Sequence, residues 1–381
     1  MTRAGVLLTT RNLPPLQGGM ERLNAHLAQA LGAEFTLYLC GPNGVDGKAL
    51  GARRSIAAPN LGLAGFLLTN FVATLWMAIR YRPQLVLAGS GLTAPAAWCA
   101  ARLCGARSAA YLHGLDIVVD NALYRRLWLP FIRRLDACLA NSRSTAAHAE
   151  SAGVIKDRIT ILAPGVEWPA RPGLDATTFR ARHALGDGPL LLSLGRLTAR
   201  KGLAEFVERV LPSLRAAVPD LQLIIIGREP AEALKHGQGE RARIEAAAKR
   251  HGLQTAVRLL GGLSDDEVVG AMLASRALVF PVLDLPGDSE GFGMVAVESA
   301  AQGLPTVAFR VGGVGDAVAD GVSGDLLAPA DYAGLAQALL RRLAQAADPQ
   351  TRAACQQFAA GFAWSEFGGR LVDWVRGVVS R

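Results

Sequence analysis

Short apolar runs alternate with helix-patterned stretches from one end of this chain to the other, and few architectures accept that rhythm. In the first half the runs are Ala4 to Thr9, Phe35 to Cys40, Leu85 to Ala88, Ser108 to Leu112 and Ala137 to Ala140. In the second they are Leu190 to Leu194, Leu221 to Gly227, Val257 to Leu260, Ala277 to Pro281 and Thr306 to Phe309. A run without polar alternation belongs to a strand covered on both faces, which is the environment of a parallel sheet with crossover helices. The pattern therefore predicts an α/β protein of two doubly wound Rossmann-like domains facing a central cleft. At 381 residues the chain is long for one domain and ample for two cores. Trp168-Pro169-Ala170-Arg171-Pro172-Gly173 is the best linker by its proline and glycine content. The boundaries read as 1–165 for the first domain, 166–187 for the linker, 188–358 for the second domain and 359–381 for a closing helical segment. In that last segment Trp364 to Val379 has apolar residues at helical spacing.

Charge narrows the partners. Residues 1–165 hold 17 Lys and Arg against 8 Asp and Glu, a net of +9, and the remainder holds 23 against 24, a net of −1. The basic half points to an anionic partner. A nucleic acid is the weaker choice, since no binding motif or aromatic-interleaved basic stripe accompanies the charge, and an anionic membrane surface has more support, so no nucleic-acid partner is expected. Leu123 to Leu135 mixes Arg125, Arg126, Arg133 and Arg134 with Trp128, Phe131 and leucines, as interfacial helices do, with Pro130 as a kink. A surface helix that packs its apolar side inward reads the same way. Leu61 to Ile79 has nineteen uncharged residues, enough to reach across a membrane. Gly62, Gly65, Thr69, Asn70 and Thr74 dilute it, and a strand follows after a short turn, so a buried or membrane-touching helix is expected. Five scattered cysteines without a Cys-x-x-Cys pair predict neither a disulfide framework nor a zinc site and suit a reducing compartment. Met1 to Thr10 falls short of a signal-peptide core, so a cytoplasmic location is expected.

In open α/β sheets ligands bind beyond the carboxyl ends of the strands, and the chemistry-bearing motifs fall there. Glu290-Gly291-Phe292-Gly293 sets a carboxylate beside backbone that a ligand can approach closely. A helix follows from Met294 and carries Glu298 in its early turns. The two carboxylates are at most roughly 12 Å apart along such a helix. Hydrolytic pairs stand about 5 to 9.5 Å apart across one bond, so two carboxylates gripping different parts of an extended ligand is the better reading. An acidic helix start plus a solvated helical Glu gives the same pattern. Gly18-Gly19 closes a proline-bearing loop before a helix, where free amides attract phosphate or a polar acceptor. His113 and Asp116 stand at the end of another strand, the histidine able to bond a hydroxyl or orient a reacting group. Arg196 and Lys201 occupy a loop before a helix, where two cations neutralise a diphosphate. Asp-x-Asp is absent, so no metal is expected and the cations take its place. Gly89-Ser90-Gly91-Leu92-Thr93-Ala94 matches a dinucleotide pattern but follows a later strand instead of the first, which speaks against an oxidoreductase. Ser264-Asp265-Asp266-Glu267 reads as a capping box.

Taken together these pieces resemble the glycosyltransferases of family 4, which are retaining enzymes with the two-domain GT-B fold. The resemblance is carried by Gly18-Gly19, His113-Gly114, Ala140-Asn141-Ser142, Gly195-Arg196 with Lys201-Gly202, the Glu290 to Glu298 segment and Phe362-Ala363-Trp364. It implies that the last helix returns to the first domain. It implies also that Arg196 and Lys201 bind the donor diphosphate, Glu298 the ribose, and Glu290 with the amides of Gly291, Phe292 and Gly293 the transferred sugar. Gly19 then lies near phosphate and acceptor, His113 near the reacting carbon, and Arg228 and Leu263 beside the base. Gly18, Gly19 and Asp116 are the acceptor-side candidates. In such enzymes the leaving phosphate takes the acceptor proton, so no protein general base is assigned. The usual Pro-Asn-Gly before the linker stands here as Ala163-Pro164-Gly165.

The expectation is a transferase at the cytoplasmic membrane face that moves a hexose from a nucleotide diphosphate sugar, GDP-mannose or a relative first, to a lipid-linked or polysaccharide acceptor. Arg-Asn-Leu-Pro-Pro-Leu with Gly-Gly-Met-Glu is similar to bacterial transferases of O-antigen or lipopolysaccharide assembly. A GT-B epimerase or phosphorylase and a two-domain solute-binding protein remain as alternatives.

Overall fold

The computed structural model describes residues 3–59, 61–229, 239–345 and 348–380. They form two compact units, one built from residues up to Gly165 with Pro286–Phe292 and Trp364 onward, the other from Val166–Leu285 and Gly293–Ala363.

In the first unit seven strands, β1 (Gly5–Thr9), β2 (Thr36–Gly41), β3 (Arg54–Ala57), β4 (Leu85–Ala88), β5 (Arg107–Leu112), β6 (Ala137–Ala140) and β7 (Ile159–Ile161), pair in the order 3-2-1-4-5-6-7. Every pairing is parallel. Helices cover both faces. On one side lie α1 (Gly19–Glu34) and the terminal helix Trp364–Val379, whose Phe367, Leu371, Val372, Val375 and Val378 share a core with Leu23, Leu27 and Leu31 of α1. The last helix thus returns to the first unit, as expected. On the other side lie α2 (Gly62–Tyr81) and α3 (Ala94–Cys104), packed over Val86, Ala88 and Ala110.

The second unit repeats the plan with β8 (Leu190–Leu194), β9 (Gln222–Ile226), β10 (Val257–Gly261), β11 (Ala277–Phe280), β12 (Thr306–Phe309) and β13 (Gly324–Leu327) in the order 10-9-8-11-12-13, again all parallel. Both sheets therefore reverse winding beside their first strand, between β1 and β4 and between β8 and β11. Those reversal points leave a crevice at the carboxyl edge of each sheet.

The 166–187 segment is more than a connection. Its helix Ala176–Arg182 is capped by Asp175, and Phe179 is fully buried against the helix Asp265–Ala274. Ser264 caps that second helix through the expected capping box, and Asp265 and Asp266 each pair with Arg171 at 2.8 and 2.9 Å. This acidic run is committed to a helix start and ion pairs. The cysteines are all free. Burial pushes the Cys40 and Cys138 thiols up to about 12, which removes them as nucleophiles at neutral pH.

Phe179→Ala empties a fully buried site and should cost about 3–5 kcal/mol in urea unfolding of the second unit; a change within about 0.5 kcal/mol would mean that this segment is only a tether.

Candidate functional site

In the second unit the residues after β8 and β11 meet at the reversal point. β8 leads into Gly195, whose N–H donates to the Ile226 carbonyl at 3.0 Å, and the chain then turns through Arg196 to a single 3-10 turn, Ala199–Lys201. Arg196 is exposed and Lys201 half-buried, with Nζ 4.5 Å from the centre of the Phe280 ring at the end of β11. A cation held over an aromatic face is steadied there and partly shielded from water. β9 leads into Gly227, where an added Cβ would collide with the Gly195 carbonyl, so only glycine lets these two loops close on each other. Arg228 follows, exposed, its guanidinium lying beside Gly262 and its carbonyl accepting from Leu197 N–H at 3.0 Å. Leu263, half-buried, sits one residue further along the loop after β10. Sequence placed Arg228 and Leu263 after separate strands; pairing of β9 with β10 makes them neighbours.

After β11 the chain passes through Pro286–Phe292 before Gly293, with φ 96°, opens the helix Met294–Ala301. The helix thus begins beyond the end of β11, and a helix start beyond a strand end is the arrangement that receives phosphate or another anion. Glu298 lies half-buried on this helix and belongs to the second unit. Glu290, Gly291 and Phe292, also in the expected motif, pack with the first unit instead. The consecutive motif is thus divided, Glu290 going with one body and Glu298 with the other, which the linear spacing of eight residues could not reveal.

In the first unit His113 follows directly on β5. Its Nε2 is 2.9 Å from the Gly89 carbonyl. A carbonyl only accepts, so Nε2 carries the proton, and in the neutral ring Nδ1 is left as the acceptor. The ring also packs at 5.0 Å on Tyr111. Asp116 serves the backbone, since one of its carboxylate oxygens accepts from the N–H of Gly91 at 3.0 Å and of His113 at 3.1 Å. It thereby ties the loop after β4, where the dinucleotide-like Gly89 to Ala94 stretch lies, to the loop after β5. Gly18 and Gly19 stand at the start of α1, and the preceding loop is held by Asn12 Nδ2 donating to Glu21 at 2.7 Å.

Two residues with no sequence-assigned role emerge. Asn141, just past the end of β6, is buried with its side-chain oxygen unpartnered, and Nδ2 lies against Gly291. A Cβ on Gly291 would run into the His113 carbonyl and Asn141, so glycine here is what lets the Glu290 segment seat on β5 and β6. Phe280 is the other, as the platform for Lys201. Asn141 was signalled by the Ala140-Asn141-Ser142 motif without a role attached, Phe280 only by its position at a strand end. Among the described residues no group of three or more His, Cys, Asp or Glu is placed to hold a metal ion.

Comparisons with known proteins give the family and the fold. The family model for glycosyl transferases group 1 matches residues 175–361, and that for glycosyltransferase family 4 matches residues 17–167. The chain belongs to glycosyltransferase family 4. A glycogen synthase of Mycobacterium tuberculosis is 31% identical over 74% of this chain and 66% of its own length, and a D-inositol 3-phosphate glycosyltransferase of Acidothermus cellulolyticus is 35% identical over 59% and 48%. The chain thus spans from about half to about two-thirds of these relatives. A GDP-mannose-dependent phosphatidylinositol monomannoside mannosyltransferase of Mycolicibacterium smegmatis is 29% identical over 98% of both chains. Among solved structures, Anabaena HepE in complex with UDP and glucose superposes with a TM-score of 0.79 at 18% identity, covering 98% of this family 4 chain and 99% of its own. The WaaG glycosyltransferase of lipopolysaccharide biosynthesis gives 0.69 at 17%, covering 98% and 100%. The fold is GT-B.

Gly291→Ala should detach the Pro286–Phe292 segment from its seat. Hydrogen exchange over 286–292 should quicken while exchange in Ala176–Arg182 stays as it was; unchanged exchange over 286–292 would show that the close approach at Gly291 is not what holds the segment.

Proposed function

We propose that this protein transfers a hexose from a nucleotide diphosphate sugar to a lipid-linked or polysaccharide acceptor in the assembly of a cell-envelope glycan, with retention of configuration. The observation that carries the reading is the crevice between β8 and β11, where Arg196, Lys201 and the amides opening the helix Met294–Ala301 follow strands that end side by side. Three positive features at one reversal point suit a diphosphate that must leave with its charge neutralised, a preorganised electrostatic effect. In this reading Arg196 grips two phosphate oxygens through paired donors, and Lys201, steadied by Phe280, meets the charge that develops as the sugar bond breaks. The two cations supply the neutralisation, and no metal is assigned. Arg228 and Leu263 border the base, Glu298 accepts from the ribose hydroxyls, and Glu290 with the amides of Gly291, Phe292 and Gly293 holds the sugar. His113, with Nε2 engaged by Gly89, offers Nδ1 to a sugar hydroxyl beside the reacting carbon. The leaving phosphate oxygen takes the acceptor proton, so none of these residues is asked to act as general base. Gly18 and Gly19 present amides on the acceptor side. Asp116 acts there by fixing the loops after β4 and β5.

GDP-mannose is the first donor to try. It is favoured by the full-length similarity to a relative named for GDP-mannose and for a phosphatidylinositol mannoside acceptor, and that name also favours a lipid-linked acceptor.

Incubation with a panel of nucleotide sugars should raise the thermal midpoint with GDP-mannose and release its nucleotide slowly, while NAD leaves the midpoint unchanged; stabilisation by NAD alone would refute the assignment. Arg196→Ala and Lys201→Ala should each lower kcat by about 10²–10³, the usual cost of removing one preorganised donor at developing charge. Glu290→Ala should abolish transfer while nucleotide binding persists, and full turnover in that variant would remove Glu290 from the sugar site.

A further inference from the structure

The helix α2 wears its polarity inside out. Its inward side includes Asn70 and Thr74 beside Phe66, Met77 and Ala78. Asn70 Nδ2 donates to Thr9 Oγ1 at 2.7 Å, Thr74 Oγ1 donates to the Asn70 carbonyl at 2.7 Å, and Thr74 and Thr9 hydroxyls lie 2.9 Å apart. The polar residues that seemed to dilute a membrane-length segment are thus spent on bonding the helix to itself and to β1. The outward side carries Leu61, Leu68, Val72, Trp76 and Ile79, each more than half exposed. Leu61 stands at the N-cap, and steps of four, four and three residues set the other four in one stripe, roughly 17 Å long at the helical rise per residue. Leu103 on the adjacent α3 is 59% exposed as well. A helix turned toward water has the opposite arrangement, and an exposed apolar stripe of this extent marks a surface that is covered when the protein works.

Its surroundings say by what. From Gly47 to Leu115 the chain contains no Asp or Glu and seven Lys and Arg. Arg53, Arg54, Arg80, Arg82 and Arg102 are exposed. A second copy of the chain on this face would bring like charges together across a two-fold axis. An anionic phospholipid surface satisfies both features, apolar stripe into the acyl boundary and arginines on the phosphates. The helix is long and apolar enough to cross a membrane by length and composition, yet its inward bonds to β1 hold it flat on the unit.

The segment Leu123 to Leu135, read from sequence as the interfacial helix, is less suited. It forms two short helices, Ala122–Leu127 and Leu129–Arg134, with Leu129 and Ile132 buried. Trp128 Nε1 donates to the Leu92 carbonyl at 2.8 Å, and Phe131 packs edge-on to Trp98. Its large aromatics are half-buried and engaged within the fold, which leaves Leu123 and Leu127 as its exposed apolar side chains.

We propose that the outer face of α2, extended by Leu103, is the surface on which this chain lies on an anionic phospholipid bilayer. The proposal deepens the lipid-linked acceptor reading and rests on it for its purpose alone, because binding to vesicles needs neither donor nor acceptor.

The full chain should float with vesicles of equal parts phosphatidylglycerol and phosphatidylcholine and much less with phosphatidylcholine alone. The triple variant Leu68→Glu, Val72→Glu, Trp76→Glu should reduce the bound fraction at least about tenfold, since it removes three apolar anchors and adds repulsion. Its thermal midpoint should be unchanged, these side chains being exposed. Brominated phosphatidylcholine in the vesicles should quench tryptophan emission in the wild type and clearly less in Trp76→Phe, a substitution that keeps the fold. The proposal is overturned if the wild type does not float, if the triple variant floats as well as the wild type, or if quenching in Trp76→Phe is undiminished. It is overturned equally if neutralising Arg125, Arg126, Arg133 and Arg134 abolishes flotation while the triple variant retains it, or if the face proves to hold a dimer that the triple variant dissolves. A chain that floats but transfers no sugar refutes the proposed function and leaves this surface standing; transfer without flotation does the reverse.

Discussion

Parallel pairing of every strand is the constraint on which the rest of the structure depends. A parallel strand returns only through a crossover, so each sheet is sandwiched by helices and its central strands are buried on both faces. The same directionality gathers all strand carboxyl ends on one edge of each sheet. Reversal of winding beside β1 and beside β8 then opens a crevice at a place fixed by strand order and not by side chains. Arg196, Lys201 and the helix Met294–Ala301 are neighbours because β8 and β11 are, although about a hundred residues of sequence separate the loops.

Each unit closes its strand ends with little space to spare. In the second, Gly227 lets the loop after β9 close on Gly195; in the first, Gly291 lets the Glu290 segment seat against His113 and Asn141. Beside the first of these contacts Lys201 is steadied by the Phe280 ring. Asp116 spends a carboxylate oxygen on two backbone amides. Such arrangements fix the geometry before a ligand arrives, which is how polar groups become effective on developing charge.

Legibility followed burial. The ten strands expected from apolar runs are present with their ends shifted by at most one residue. Three strands escaped, β3, β7 and β13, and all three lie at sheet edges. An edge strand needs apolar cover on fewer sides, and Arg54–Ala57 is largely exposed, so no continuous apolar run marks it. Phe179 escaped for a related reason: proline and glycine nearby advertised a linker, while the partner that buries this ring, the helix Asp265–Ala274, comes some ninety residues later. For α2 composition alone could not say which side faced outward. The bonds of Asn70 and Thr74 to β1 decide that, and they exist only once the helix is laid across the sheet.

The sequence by itself determined the class of fold, the parallel strands, the strand-end positions of Arg196, Lys201 and His113 and the helical position of Glu298, because apolar periodicity and glycine-rich turns are local properties with local physical causes. Tertiary structure decided which of those ends are neighbours within each unit, that Glu290 and Glu298 pack with different units, that Asn141 lies against Gly291 and Phe280 under Lys201, and that α2 turns its apolar side out. Strand order and helix orientation are set by contacts between residues far apart in the chain, and no window of sequence contains both partners of such a contact.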